Sequence, residues 1–168
     1  VITAPLVAGA RPGEFDYIPN NEQAGPRSFS VDGDGNIYIP EWCNGIRVHK
    51  FDGLGRLVIV LRLQAVGFLG FNVTATAAYT GEMYVVSDAV GRFDYIVAKY
   101  TGEGEYLYCV GSGGVLTDVE CTKEHLRRKD REPYFKRLIS EMYVDRDGNL
   151  AINDGSWNEP RVRTFNSE

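Results

Sequence analysis

A short glycine turn that recurs three times restricts the folds open to this chain. Its copies are Asp34-Gly35-Asn36, Thr80-Gly81-Glu82 and Asp147-Gly148-Asn149. Each glycine supplies the positive φ that a tight hairpin requires. A run of residues with high strand propensity follows each turn. The pattern therefore predicts three copies of one β-hairpin.

A second turn follows the hairpin in the first two copies. Phe51-Asp-Gly-Leu-Gly-Arg-Leu57 matches Tyr100-Thr-Gly-Glu-Gly-Glu-Tyr106 position by position. The third copy reaches Phe165-Asn-Ser-Glu168 and stops where the next glycine would fall, so we expect it to lack a fourth strand. The repeats, at about 25–63, 72–110 and 139–168, are predicted to be all-β units of four antiparallel strands, a to d.

The predicted strands share their order in every repeat. Strand a covers about 28–31, 74–79 and 139–144, and strand b covers 37–40, 83–87 and 150–153. Strand c covers about 46–51, 96–100 and 161–165, and strand d covers 57–63 and 106–110.

Two segments lie outside the repeats. The first, 1–25, opens with Val1-Ile-Thr-Ala-Pro-Leu-Val7, which could form a d strand of a neighbouring unit. The second, the insertion 111–138, contains the capping-box pattern Thr117-x-x-Glu120 and a polar stretch at 121–131, so we predict a short helix there. Residues 123–137 carry seven Lys or Arg and three Asp or Glu. Such a run is either a solvated helix face or a contact for an acidic partner.

Length and charge bound the class of protein. A chain of 168 residues buries a core and normally makes one domain, so we treat 1–168 as a single domain. The net charge of −5 argues against nucleic acid as a partner. No stretch approaches the roughly 20 apolar residues that a membrane-spanning helix needs.

The three cysteines, Cys43, Cys109 and Cys121, are too few for a disulfide scaffold. Cys109 and Cys121 could pair across a loop, which would leave at least one thiol free or paired elsewhere. The chain starts at Val1 without a signal-peptide pattern, which leaves the compartment open. We favour an extracellular or periplasmic location.

The first and third units resemble the NHL-type β-propeller repeat. In the first unit the resemblance rests on Gly25-Pro26, Val31-Asp-Gly-Asp-Gly-Asn-Ile-Tyr-Ile39, Glu41, Asn44, Arg47-Val48 and Phe51-Asp52. In the third it rests on Met142-Tyr-Val-Asp-Arg-Asp-Gly-Asn149, Asp154, Asn158, Arg161-Val162 and Phe165. The middle unit departs from the pattern at Thr80-Gly81-Glu82 and at Val90-Gly-Arg-Phe-Asp94.

The resemblance implies a partial β-propeller of about three four-stranded blades, with strand a innermost. Three blades are half of a six-bladed ring, so we expect either part of a longer propeller or two chains that pair into a ring. The proteins resembled include protein-binding modules, lactonases and a peptide-amidating lyase. The resemblance is therefore more specific for fold than for function.

The blade geometry places the b–c loops and the insertion on one face of the disc. The candidate binding residues on this face are Glu41, Trp42, Asn44, Asp88, Arg92, Asp94, Tyr95, Asp154, Trp157 and Asn158. One interpretation is a recognition surface, because both tryptophans fall in matching loops. The other is that the polar residues of each loop hydrogen-bond their own blade. That interpretation covers Glu41, Asn44, Arg47, Asp154, Asn158 and Arg161.

Acidic residues offer three candidate cation sites. Asp32-Gly-Asp34-Gly-Asn36 and Asp145-Arg-Asp147-Gly-Asn149 resemble the first half of a calcium loop but lack the closing Glu of an EF-hand, so we interpret both as plain turns. Glu41, Asp88 and Asp154 could together hold calcium or another divalent ion at a propeller axis. No catalytic residue is predicted, because Cys43 has no identifiable base partner and because His49 and His125 belong to no Ser/His/Asp or Cys/His arrangement.

The function that these patterns favour is non-enzymatic binding of a protein, peptide or glycan through the b–c loops and the insertion. The first alternative is a metal-dependent hydrolase or lyase of the lactonase-like propeller class. The second is a structural unit that completes a ring by oligomerisation. No cofactor, nucleic acid or membrane span is expected for the binding module.

Overall fold

The computed structural model describes residues 6–7, 11, 14–16, 26, 28–42, 46–63, 74–77, 79–88, 95–111, 114–116, 135, 139, 141–155 and 161–166. Within these residues the chain is all-β, and no helix occurs. None of the described segments therefore provides a helix able to cross a membrane. The predicted helix at 121–131 lies outside the described residues.

The strands form one small parallel pair and three antiparallel sheets. The pair joins β1 (Leu6–Val7) to β2 (Phe15–Asp16). The first sheet contains β3 (Ser30–Val31), β4 (Ile37–Trp42), β5 (Ile46–Phe51) and β6 (Leu57–Leu63). The second contains β7 (Thr74–Ala77), β8 (Met83–Asp88), β9 (Tyr95–Tyr100), β10 (Tyr106–Gly111) and β11 (Gly114–Leu116). The third contains β12 (Glu141–Val144), β13 (Leu150–Asn153) and β14 (Val162–Phe165).

Strands a to d are thus confirmed, and they pair in chain order within each sheet. Among the described residues the third sheet has three strands, as predicted. Two details differ from expectation. Among the described residues, 6–7 pair in parallel with β2 and with no strand of the three larger sheets. Residues 114–116 of the insertion add a fifth strand to the second sheet.

The hairpin turns share one geometry. The backbone N–H of Gly35 donates to the Asp32 carbonyl at 3.1 Å, and Gly55, Gly104 and Gly148 make the same contact in their turns. All four glycines, and Gly81, have φ between 82° and 88°. That region is open to glycine and strained for other residues. The sequence pattern therefore encodes the turns directly.

The three sheets stack face to face in chain order, with one hydrophobic cluster at each boundary. We call the side of a sheet that points to the next sheet its forward face, and the opposite side its rear face. The forward face of the first sheet packs on the rear face of the second through Tyr38, Ile46, Val48, Leu61, Leu63, Met83, Val85, Ile96, Ala98, Tyr100 and Cys109. The forward face of the second packs on the rear face of the third through Tyr84, Val86, Tyr95, Val97, Val110, Val144, Leu150 and Ile152.

The a–b turns of neighbouring sheets touch, which fixes how the sheets align. The N–H of Gly33 donates to the carbonyl of Tyr79 at 3.2 Å, between the first and second sheets. The Tyr84 hydroxyl reaches the Gly148 carbonyl between the second and third. Strand β7 also contacts β3 and β12, so the first strands of the sheets lie together. We call this end of the stack the turn end. Strand b ends and strand c begins at the opposite end, which we call the loop end.

Candidate functional site

The loop end holds the candidate binding residues that the sequence predicts, and only part of it is described. Strand β4 ends at Trp42, β8 at Asp88 and β13 at Asn153. Neither the Trp42 nor the Asp88 side chain is described. Asn44, Arg92, Asp94, Trp157 and Asn158 lie outside the described residues. The described part of the site therefore consists of the strand ends that flank the b–c loops.

A buried ionic cluster occupies the loop end of the first sheet. The Glu41 carboxylate on β4 contacts the Arg47 guanidinium on β5, its cross-strand partner. The same Glu41 oxygen, Oε1, accepts a hydrogen bond from His49 Nε2 at 2.9 Å. All three side chains are buried. Buried charges are tolerated when they are paired in this way, and such pairs fix the geometry of the strands that carry them.

Aromatic rings enclose the His49 imidazole. The Phe15 ring centroid lies 4.6 Å from that of His49, at an interplanar angle of 40°. Phe51 stacks nearly parallel to His49 at 6.4 Å. The second imidazole nitrogen, Nδ1, is buried and has no hydrogen-bond partner in the described part of the chain. With Nε2 held by Glu41, the imidazole orientation is fixed.

The third sheet has an ion pair at the equivalent place. Asp154 follows β13, and its Oδ2 accepts a hydrogen bond from Arg163 Nε at 2.8 Å. Asp154 Oδ1 is buried without a partner among the described residues. Counted from the turn glycines Gly35 and Gly148, Glu41 and Asp154 occupy the same position. In both sheets, an acid at the end of strand b is thus neutralised by a base on strand c.

The predicted pairing of loop acids with their own unit is correct for Glu41 and Arg47. The base that pairs with Asp154 is Arg163 and not Arg161. The Arg161 side chain is exposed, and only the backbone carbonyl of Arg161 contacts Asp154, by accepting the Asp154 N–H at 3.1 Å. Sequence reasoning missed His49 and Arg163. Both lie two residues before the aromatic residue that ends strand c, so the hairpin register was the signal that could have identified them.

The acids proposed as divalent-ion ligands are not at equivalent positions. In the second sheet, Ser87 occupies the position of Glu41, and Asp88 lies one register position further along, opposite Tyr95. The Glu41 and Asp154 carboxylates are each engaged with a base. Within the described residues no group of three or more His, Cys, Asp or Glu lies close enough to hold a metal ion.

The insertion is attached at the loop end of the second sheet. Phe135 and Tyr95 exchange two backbone hydrogen bonds of 2.9 Å as an isolated antiparallel bridge. The Phe135 ring is buried between the second and third sheets, 6.1 Å from Phe165 in an edge-to-face contact. Tyr95 is itself buried in this cluster. The end of the insertion is thus fixed beside the second b–c loop.

The two Asp-rich sequences form turns at the opposite end. Asp32 Oδ1 accepts the N–H groups of Asp34 and Asn36, and its Oδ2 accepts the Asn36 amide and the Tyr38 hydroxyl. Burial alone would raise the pKa of Asp32, but these hydrogen bonds outweigh it and lower the pKa below its usual value. Asp145 repeats the arrangement with Asn149, whose hydrogen bonds lower the pKa of Asp145. Both sequences are therefore structural turns, as interpreted from the sequence.

Cys109 is disulfide-bonded and buried on β10. Its partner is not among the described residues, and both Cys43 and Cys121 lie outside them. The pairing of Cys109 with Cys121 stays a prediction.

Comparisons with known proteins leave the function open. No protein-family model matches the chain, and no curated protein matches it. Eleven solved chains match. One is a protein of unknown function from Bacteroides caccae, 13% identical with a TM-score of 0.44, in an alignment that covers 86% of this chain. This chain spans 44% of that protein's length. The likeness is too distant to support an argument about fold or function.

Proposed function

We propose that the three sheets are blades of an NHL-type β-propeller and that the loop end binds a protein, a peptide or a glycan. The observation that carries this proposal is that strand b of all three sheets ends at the same end of the stack, at Trp42, Asp88 and Asn153. The other end is closed by tight turns that contact one another through Gly33 and Tyr79. Loops on a rigid scaffold are the usual location of binding residues.

The strand ends support this assignment because they are rigid. Glu41 is held by Arg47 and His49, and Asp154 is held by Arg163. A loop anchored on buried ion pairs presents its side chains with little loss of conformational entropy on binding. Glu41, Tyr95 and Asp154 are buried, so their role in this proposal is to position the loops. Contact with the ligand is assigned to Trp42, Asn44, Asp88, Arg92, Trp157 and Asn158.

The insertion extends the proposed surface. Its backbone bridge from Phe135 to Tyr95 attaches it beside the second b–c loop. The basic residues between Lys123 and Arg137 would then favour an acidic partner. A ligand with carboxylate, sulfate or phosphate groups therefore fits this surface better than a cationic one.

The experiment is a binding screen with matched variants. Labelled protein is applied to a printed glycan array and to a tiled peptide array, and each hit is titrated by calorimetry. Replacing both Trp42 and Trp157 by Ala should weaken binding at least tenfold, because aromatic side chains dominate binding surfaces. The control is Tyr79→Ala, which removes an exposed aromatic ring at the turn end. Binding that survives the tryptophan substitutions but is lost with Tyr79→Ala would place the site at the turn end and contradict the proposal. Arrays without a single hit would also contradict the proposal.

A further inference from the structure

The rear face of the first sheet carries a fully buried histidine, His49, on strand β5. Its Nε2 donates to Glu41 Oε1 at 2.9 Å, so Nδ1 is the nitrogen that carries no proton in the neutral imidazole. In the part of the chain that the structure describes, Nδ1 is buried and has no hydrogen-bond partner. A proton added at Nδ1 would therefore create a buried N–H donor without an acceptor, which is costly.

The charges in contact with His49 also oppose a second proton on the ring. The Glu41 carboxylate is already paired with the buried Arg47 guanidinium. On the neighbouring strands, the residues opposite His49 are the apolar Ile39 and Val60. A protonated imidazole would thus place two cations on one carboxylate. Because a buried charge without its own partner is costly, the closed site favours the neutral ring.

The other charged groups of the strands around the cluster do not supply that partner. Arg62, on β6, is exposed and is itself a cation. Glu14 lies beside β2, and its Oε2 accepts a backbone N–H of its own turn. Asp16 ends β2. Among the side chains that the structure describes, Glu41 is the acid that contacts His49.

The parallel pair of β1 and β2, which we call the latch, covers this site. The Phe15 ring of the latch lies 4.6 Å from the His49 ring and is buried. Strand β2 also contacts β4. Within the described residues, the two strands of the latch pair with each other and with no strand of the first sheet. The described attachment of the latch is therefore side-chain packing, and the imidazole lies at its centre.

The third sheet offers a comparison within the same molecule. Arg163 occupies there the register position that His49 occupies in the first sheet. Phe135 packs against the third sheet, but two backbone hydrogen bonds to Tyr95 also hold it in place. The base of the third sheet keeps its charge at every working pH, whereas an imidazole gains and loses its charge. The first sheet thus combines a titratable base with a phenylalanine that the described contacts hold by packing.

We infer that protonation of His49 releases the latch. Opening gives Nδ1 water as a hydrogen-bond partner, so the open form binds the proton more readily and acid shifts the equilibrium towards it. Histidine is the side chain that ordinarily changes its charge between about pH 5 and pH 8. In that interval the ratio of open to closed protein should rise by up to about tenfold per pH unit. The inference does not depend on what the loop end binds.

The test is fluorine NMR of the full chain with 4-fluorophenylalanine at position 15. The chain has two histidines, so His125→Gln leaves His49 as the single imidazole and serves as the reference protein. Between about pH 8 and pH 5, the His49 Cε1–H resonance and the fluorine resonance should change with one midpoint. The fluorine resonance should move to the position that it has in urea. The same label at position 135 is the control and should not move.

The variant His49→Gln separates protonation from other effects of acid. Glutamine keeps a side-chain N–H for Glu41 but takes up no proton, so the label at position 15 should show no transition in this variant. If the substitution itself releases the latch at every pH, the shared midpoint in the reference protein decides. A fluorine signal that stays constant while His49 titrates would overturn the inference. So would a His49 ring that does not titrate, a transition that survives His49→Gln, or a simultaneous change at position 135.

Discussion

The Tyr84 hydroxyl lies 3.5 Å from the carbonyl oxygen of Gly148, across the boundary between the second and third sheets. The Tyr38 hydroxyl lies 3.4 Å from the Gly81 carbonyl at the previous boundary. Each tyrosine is on strand b of one sheet, and each glycine is in the a–b turn of the next. The stack is therefore held together by a repeated polar contact in addition to its hydrophobic clusters.

Replacing these tyrosines by phenylalanine should destabilise the fold unequally. Tyr84→Phe removes the hydroxyl that reaches Gly148 and that also hydrogen-bonds Tyr108 and Lys99, and it should cost about 1 kcal/mol, the net value of a typical hydrogen bond. Tyr38→Phe should cost about 1–3 kcal/mol, because the single hydroxyl proton of Tyr38 is donated mainly to the buried Asp32 carboxylate at 2.9 Å, with the Gly81 carbonyl as a weaker second acceptor. Urea unfolding measures both changes. Tyr143→Phe, at an exposed position, is the control and should be neutral; equal costs for all three variants would contradict the assignment.

Gly33 should not tolerate alanine, for a steric reason. A Cβ atom at Gly33 would lie 2.7 Å from the ring and the carbonyl oxygen of Tyr79. Overpacking of this kind should cost about 1–3 kcal/mol. In a Tyr79→Ala background the cost of Gly33→Ala should fall, because the ring is gone and only the backbone contact remains.

Gly35→Ala is the matched control for this prediction. Gly35 has a φ of 82° and open space around it, so alanine there should cost about 1–2 kcal/mol through backbone strain alone. That cost should be the same with or without the Tyr79 ring. Urea unfolding decides the matter, with each glycine variant measured in the wild-type and Tyr79→Ala backgrounds and Tyr79→Ala alone as the second reference. A cost of Gly33→Ala that is identical in both backgrounds would refute the steric explanation.

The hairpins could be predicted from the sequence because their turns are local. Asp32 and Gly35, or Asp145 and Gly148, are three residues apart and fix the turn without help from the rest of the chain. The ionic pairs at the loop end could be predicted only in part. Glu41 and His49 are eight residues apart across one hairpin, and pairing them requires the register.

Contacts between segments without a repeat could not be predicted. Phe15 lies in a stretch that lacks strand periodicity, so no pattern in the sequence connects it to His49. Phe135 is likewise in the insertion, outside the repeat that aligns the sheets. The position of Asp88 relative to Glu41 could be predicted from the sequence. A count from the turn glycines Gly35 and Gly81 makes Ser87 the equivalent of Glu41, and the cross-strand pairing of Asp88 with Tyr95 agrees with that count.

Acid should weaken the fold partly through Asp32 and Asp145. The folded state lowers the pKa of both groups, so the unfolded state binds protons more readily. Their stabilisation is complete above the unfolded pKa, about 4, and is lost as the pH falls through the folded value. Denaturant unfolding at a series of pH values should show that Asp32→Asn reduces the loss of stability between about pH 5 and pH 2. Asp34→Asn, on the exposed side of the same turn, is the control; a slope unaltered by Asp32→Asn would contradict this account.

Calcium should leave the thermal unfolding temperature unchanged. Both carboxylate oxygens of Asp32 and of Asp145 accept hydrogen bonds from their own turns, so a cation would have to displace those bonds. Differential scanning calorimetry in millimolar calcium and in a chelator should give the same transition. If calcium raises the unfolding temperature and Asp32→Asn or Asp145→Asn abolishes that rise, then the turns bind the ion. Elemental analysis of the purified protein tests the separate hypothesis of a divalent ion held by Glu41, Asp88 and Asp154.

Removal of the Glu41 charge should destabilise the first sheet strongly. Glu41→Gln leaves the Arg47 guanidinium buried without its carboxylate, and breaking a buried pair in this way costs about 3–5 kcal/mol. The double variant Glu41→Leu with Arg47→Met removes both charges and should recover most of that stability, because apolar residues of similar volume replace buried ion pairs well. Arg56→Met, which breaks the exposed ion pair with Asp52, should cost less than about 1 kcal/mol. Urea unfolding of these variants, together with the single variants Glu41→Leu and Arg47→Met, gives the coupling energy. If the double variant is as unstable as Glu41→Gln, then the hydrogen bond between Glu41 and His49, rather than the charge pairing with Arg47, accounts for the stabilisation.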